Sequence, residues 1–504
     1  NPGARTIRLG RKGMAIGFGG IAKGYALDRM RVMLIDAGVR DFGDRVLLWT
    51  RLTPAEPAPA LLPVEWSLSR SPTMDPILQR GLTSTSAAFD FTVKVDVTRL
   101  EPGATYYYQF ASANALSPIG RTRTLPIGAT PRLRLALAAC ANFPYGYFHA
   151  YRHIAAQPDL DAVIHVGDYF YEYANGDYGD GAALGRAPIP DKELITLSDY
   201  RQRYAQYRTD PDLQEAHRLH PWIIVYDDHE TANNSYTDGA ENHDPATEGP
   251  WSVRRAVALQ AWNEWLPVRE QPFLDGNIYR SFRFGSLATL IMLDARLAGR
   301  SAQLPASSPQ LADPSRSILG HHQELWLQRE LAASVERGAL WHMIGQQVMM
   351  GQLRNTDGSP LNPDQWDGYP ASRNRLLEFI AANAIPNVVV LSGDIHSSWA
   401  NEIAIDPFQP NSAPLAVEFV APGITSPGIA EGTQAGILQR FVEATHPHVK
   451  YVNLFRRGYV LIDADDARVQ SQWFHVVSLT TPQADMELAR TLVTRVGSNR
   501  ITPP

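Results

Sequence analysis

Four short apolar runs, each closing on a cluster of acid, imidazole or thiol side chains, constrain this chain more than any other feature. They are Leu133-Arg134-Leu135-Ala136-Leu137-Ala138-Ala139 into Cys140, Ala162-Val163-Ile164-His165-Val166 into Gly167-Asp168, Trp222-Ile223-Ile224-Val225 into Asp227-Asp228, and Val388-Val389-Val390-Leu391 into Gly393-Asp394. Near-continuous apolar strands belong to sheets covered on both faces. Helix-like stretches such as 147–156 and 323–333 lie between the runs, so the expected fold class is a layered α/β domain. In such sheets ligands gather beyond the carboxyl ends of the strands, where all four polar clusters fall.

Ahead of this region, from residue 45 to about 126, the pattern changes to period two. Val46-Leu47-Leu48-Trp49-Thr50, Val64-Glu65-Trp66-Ser67-Leu68, Phe91-Thr92-Val93-Lys94-Val95 and Tyr106-Tyr107-Tyr108-Gln109-Phe110 are separated by Pro- and Gly-containing turns. This argues a small antiparallel β-sandwich of fibronectin-III or immunoglobulin-like type. Residues 20–37 carry an amphipathic helical pattern, with Ala22, Ala26, Met30 and Leu34 four apart and Gly38 where a C-cap belongs. Gly17-Phe18-Gly19-Gly20 opens no strand–helix–strand unit, so it does not read as a dinucleotide site; the stretch GFGGIAKGYALDRM instead resembles a fragment of the bacterial flavin-transferase family. The expected organisation is a helical segment at 1–40, a sandwich at 41–128 and a catalytic domain at 132–504.

With 44% hydrophobic residues in 504, the chain can bury a large core, and 46 basic against 52 acidic residues leave a charge of −6. A nucleic-acid packaging role is disfavoured by that balance. A single cysteine excludes an intrachain disulfide and any multi-cysteine metal cluster. No window approaches the ~20 apolar residues of a membrane span. The chain opens at Asn1 with no apolar signal core, which is the expectation for a chain whose targeting segment was removed or whose start was trimmed.

The polar clusters can be read for metal type. A thiol, a phenol, a carboxylate and an imidazole, from Cys140, Tyr171, Asp168 and His396, make an electron-donating set suited to ferric iron (Fe3+). Asp227, Asp228, Asp394 and the amide of Asn233, with Asn234 beside it, form an oxygen-rich set suited to calcium (Ca2+), one or two ions, with manganese or magnesium as alternatives and zinc as the outcome that would displace the mixed centre. Asp168 is the natural bridge.

Gly167-Asp168-Tyr169-Phe170-Tyr171, Asp228-His229-Glu230 and Gly393-Asp394-Ile395-His396 are similar to the metallophosphoesterase superfamily. More specifically, Gly146-Tyr147-Phe148-His149-Ala150-Tyr151-Arg152, Tyr226-Asp227-Asp228-His229-Glu230, Trp366-Asp367-Gly368-Tyr369-Pro370 and SGDIHSSWA at 392–400 resemble the PhoD-type alkaline phosphatase and phospholipase D family. The resemblance runs from about residue 45 to 479. It implies a four-layer α/β/β/α calcineurin-like domain behind the sandwich, an iron–calcium centre, and hydrolysis of phosphomonoesters and phosphodiesters, with triesters weak substrates. The superfamily's fourth histidine motif is not evident; Gly345-Gln346-Gln347-Val348 stands where it would fall, which would put an amide in place of an imidazole.

Phosphoryl transfer needs an in-line nucleophile and neutralised non-bridging oxygens, which metal-activated hydroxide and two or more cations supply. His229 is expected to stabilise the transition state or protonate the leaving oxygen, and Asn233 to contact substrate. His165, inside an apolar strand, is expected to be a core residue, and Arg201, Arg203 and Arg208 a solvated helix face. Tyr145, Tyr147, Tyr173 and Trp399 are candidates for contacting an apolar leaving group. Rival readings are a non-enzymatic extracellular binding protein and a diesterase acting on lipid. A periplasmic or secreted location is expected from the family; oligomeric state is not readable.

Overall fold

The structure, a computed structural model, describes residues 42–55, 58–269, 278–409 and 412–504; the flavin-transferase-like segment at 1–40 lies outside them. Two seven-stranded mixed sheets carry the catalytic region. In the first, Trp222–Ile224, Ala162–His165 and Leu133–Ala138 run parallel, and Gly458–Ala464, Arg468–Val476, Met486–Arg495 and Ile501–Thr502 continue it antiparallel. In the second, Ala288–Met292, Trp341–Gly345, Val388–Ser392 and Ala416–Val420 are parallel, flanked by antiparallel Arg280–Phe284, Ser398–Ile403 and Val449–Asn453.

The run Val388-Val389-Val390-Leu391 shows why these strands are apolar throughout. Val389 and Leu391 enter the core shared with Leu135, Leu137 and Val460 of the first sheet, while Val388 and Val390 face Leu327, Leu331, Leu376 and Leu377 of the helices His321–Glu336 and Pro370–Ala382. A one-residue slip would exchange those faces. Helices His149–Ala155, Leu197–Tyr207 and Pro211–Leu219 pack into the first sheet's core through Tyr151, Tyr204 and Leu213. The result is the four-layer α/β/β/α architecture.

At the N-terminal side, Val46–Arg51 pairs antiparallel with Thr92–Val97, and Leu62–Ser69 pairs with both Ile77–Thr85 and Thr105–Ser112 around a core of Val64, Leu68, Tyr106 and Phe110. The sequence reading passed over Ile77–Thr85, a strand with only Thr85 fully buried. Residues 42–504 form one compact unit. Trp49 donates its indole N–H to Glu264 O at 2.8 Å, and Arg201 bonds Glu264 at 2.7 Å and Ala88 O at 2.7 Å, tying the sandwich to the helices.

Candidate metal centre

The strand ends deliver their side chains on unusual backbone. Cys140 (φ +60°), Asp168 (+53°), Asp394 (+67°) and His396 (+53°) all sit in the left-handed region, which non-glycine residues seldom adopt and which concentrates at functional sites. Gly167 (φ +115°) lies so close to the next strand end that a Cβ there would stand 2.3 Å from Asp227 Cβ and 2.5 Å from its nitrogen. The loops are held in that approach by Glu230. Its two oxygens accept the main-chain N–H groups of Asp168 (3.0 Å), Tyr169 (2.6 Å) and Asp227 (2.8 Å), so Glu230 organises the ligand loops and is not itself a spare ligand.

Three overlapping sets of donor atoms converge: Cys140, Asp168 and His396; Asp168, Asp228 and His229; and Asp227, Asp228 and Asp394, with atoms of each set within 4.8 Å of one another. Asp168 belongs to the first two sets and Asp228 to the last two. Tyr171 joins the first set, its hydroxyl 3.0 Å from Asp168 Oδ2 and 2.9 Å from His396 Nε2. Asp168 Oδ1 and Asp228 Oδ1 are buried without a hydrogen-bond donor, although the Arg296 guanidinium stands 3.4 Å from the latter. Such oxygens are costly unless something positive meets them, and donors of this kind in this arrangement fit a cluster of cations.

The electrostatics agree. Burial opposes ionisation of Asp168, but His229, His396 and Arg296 outweigh it and hold its pKa at about 2. Burial pushes Asp394 up to about 7, with Arg296 opposing and the neighbouring carboxylates adding. Burial, followed by the charges of Asp168 and its neighbours, pushes the Cys140 thiol and the Tyr171 phenol well above their ordinary ranges, so the anionic form of either needs a cation beside it. Burial disfavours the His229 imidazolium, yet Glu172, Asp228 and Asp168 raise its pKa well above the usual value. Its Nδ1 lies 2.7 Å from Glu172 Oε2, leaving Nε2 for other work.

Several expected residues stand elsewhere. Asn233 donates its backbone N–H to Glu172 at 2.7 Å and turns its amide to Glu241 at 3.4 Å, while the backbone N–H of Asn234 reaches Asp228 Oδ2 at 2.6 Å. The amides of Gln346 and Gln347 do not replace a histidine ligand. Gln346 serves Val348 O, Ser392 and the Trp366 indole, and Gln347 serves Ala295 N, Tyr226 O and Leu293 O.

The three arginines are not a solvated face. Arg203 is buried and donates to the carbonyls of Tyr171, Tyr173, Ile189 and Pro190, Arg201 pairs with Glu264, and Arg208 lies over Trp49 at 4.2 Å. His165 is a core residue, hydrogen-bonded to Tyr151 and stacked on Trp222. Tyr173 stands 5.5 Å from the His229 ring, whereas Tyr147 stacks on His149.

The sequence reading missed Glu172, Tyr178, Arg296 and Asp364. Fully buried Arg296 bonds Asp227, Asp364 (2.8 Å) and Asp394 (2.8 Å) and lies 3.4 Å from Asp228. It follows the strand Ala288–Met292, whose apolar run into Asp294 was the one signal that could have found it.

The sequence profile of the PhoD-like phosphatases matches residues 135–473, and that of their N-terminal domain matches 42–126. The chain is 37% identical over 435 residues to alkaline phosphatase D of Bacillus subtilis strain 168, across 83% of this chain and 73% of that protein. A solved structure of PhoD superposes with a TM-score of 0.85 at 33% identity, covering 92% of this chain and 90% of the other.

Proposed function

Because the chain belongs to the PhoD-like phosphatase family and is a metal-dependent phosphoric ester hydrolase, we propose that Cys140, Asp168, Tyr171 and His396 hold ferric iron. Asp168, Asp227, Asp228 and Asp394 then hold calcium, as one ion or two. The observation that carries this is the chain of shared donors: Asp168 joins the set with thiol and imidazole to Asp228, and Asp228 in turn belongs to the all-carboxylate set with Asp227 and Asp394. Bound there, the cations supply charge neutralisation for the phosphoryl oxygens and lower the pKa of water.

The chain's own residues do the rest. Glu172 orients His229 through Nδ1, so that Nε2 stabilises the transition state and gives a proton to the leaving oxygen. Glu230 and Arg203 hold the Asp168 and Tyr171 loops in place. Asn233 is assigned to substrate contact. The substrates are small phosphomonoesters and phosphodiesters. The sandwich at 41–128 supports the catalytic domain at 132–504, and the protein works in the periplasm or outside the cell, where calcium is plentiful; among the described residues no helix is long and apolar enough to cross a membrane.

Elemental analysis of the purified protein and of Cys140→Ala, with hydrolysis of an aryl phosphomonoester and an aryl phosphodiester, tests this reading. Iron with calcium, a visible charge-transfer band, and loss of iron and activity in the variant are expected. Zinc alone, or a Cys140→Ala protein with full activity, would overturn the assignment.

A further inference from the structure

A cavity of about 400 Å³ opens beside the metal centre, within the size range of small-molecule pockets. Two of its lining residues belong to the centre: His396, a member of the first donor set, and Tyr178, whose hydroxyl lies 3.4 Å from His396 Nδ1 and whose ring stacks 5.8 Å from that of His229. Apart from Ser397, the rest of the lining is apolar and includes Trp399, Leu454, Leu438 and Ile429. Leu438 comes from the helix Thr433–Thr445, half-buried, while Ile429 is 40% exposed.

The wall formed by Pro427, Gly428 and Ile429 is anchored to the centre. Ser426 Oγ lies 2.6 Å from the Tyr171 hydroxyl and 2.7 Å from Cys140 O, and Pro427, Gly428 and Ile429 follow it directly. Arg457 donates to Ser426 O at 2.5 Å and fills the space beside Gly428, where a Cβ would meet its guanidinium. One ester held at the centre through its phosphate therefore has a fixed apolar wall within reach of its substituent.

We propose, resting on the reading of the metal centre above, that this cavity receives the alkyl or aryl group esterified to the reacting phosphate, and that Leu438 and Ile429 set the preference for that group. The occupant is apolar because no Asp, Glu, Lys or Arg lines the cavity, and it is part of the substrate because His396 of the centre and Tyr178 beside it form part of the cavity wall.

The test is a series of 4-nitrophenyl alkyl phosphates, methyl, butyl and octyl, assayed on the metal-loaded full chain below their critical micelle concentrations, with calorimetric binding of the matching alkylphosphonates. Each buried methylene should raise kcat/KM by up to about fourfold until the cavity is full, and phosphonate affinity should rise in step. Ile429→Ser and Leu438→Gln should flatten both slopes while leaving hydrolysis of the methyl ester within about twofold of the parent protein.

Equal kcat/KM for all three esters, unchanged slopes in both variants, or a chain-length effect confined to micelles or phosphatidylcholine vesicles would overturn the pocket. Loss of hydrolysis toward every ester would instead count against the phosphoesterase reading, and the phosphonate affinities would still decide the pocket.

Discussion

Replacing Arg203 with methionine removes a guanidinium that donates to four carbonyls, Tyr171, Tyr173, Ile189 and Pro190, from within the core. Each carbonyl left without a donor costs ~1–3 kcal/mol. The sum is reduced because burying the guanidinium is itself costly and because water reaches part of the loop, leaving about 3–5 kcal/mol of destabilisation. Spread over a unit of roughly 460 residues with an unfolding entropy near 2.1 cal/mol/K per residue, this lowers Tm by about 3–5 °C. Activity should fall by more, at least tenfold, because the released segment carries Tyr171. Arg203→Lys should recover part of both losses, since an ammonium has three donors and no planar fork. Thermal unfolding followed by circular dichroism, together with kcat/KM for an aryl phosphate, measures the two effects. A methionine variant with Tm within 1 °C of the parent and unchanged kinetics would refute the role given to Arg203.

Gly167→Ala should cost ~2–5 kcal/mol, from its left-handed backbone and the forced retreat of Asp227, and should lower activity at least tenfold; a variant with parental Tm and rate would show that the two strand ends are not tightly apposed. Burial pushes the Asp367 pKa up to about 7, so its ionisation costs the folded state stability as pH rises from about 4 to 7. Asp367→Asn should match the parent protein near pH 4 and exceed its stability at pH 8, by up to ~4 kcal/mol, and urea unfolding at the two pH values would expose the opposite trend. His220, His342, His448 and His475 are held neutral by burial, with pKa values lowered to about 4, 4, 3 and 4. Their stabilisation is fully present above the unfolded value of ~6.5 and is lost as pH falls toward 4, each by up to ~1.4 kcal/mol per pH unit. A His475→Gln protein that loses as much stability as the parent between pH 7 and pH 5 in urea unfolding would contradict this.

What was legible in the sequence follows from how local each signal is. The apolar runs ending in Cys140, Asp168, Asp228 and Asp394 announce themselves because a doubly covered strand must be apolar at every position and its end must carry the site. The Asp394-x-His396 spacing is equally local. Arg296 and Asp364 are brought to the carboxylates by the three-dimensional closing of the second sheet; the apolar run Ala288–Met292 ahead of Arg296 marks a strand end but not the carboxylates it will meet. Arg203 was misread for a related reason: its neighbours Arg201, Gln202 and Gln206 make the helix look polar, while the acceptors that bury Arg203 come from a loop about 13 to 32 residues away. Ile77–Thr85 was passed over because its exposed strand pattern, with Leu78 and Leu82 outward, lacks the apolar alternation of a half-buried strand.

Glu230 ties the Asp168 loop and the Asp227 loop through three main-chain bonds, so the two loops cannot be exchanged independently. A designer who transplanted either loop alone into another α/β scaffold would carry across the side chains but not their spacing. The smallest portable unit is both strand ends together with the carboxylate that joins them.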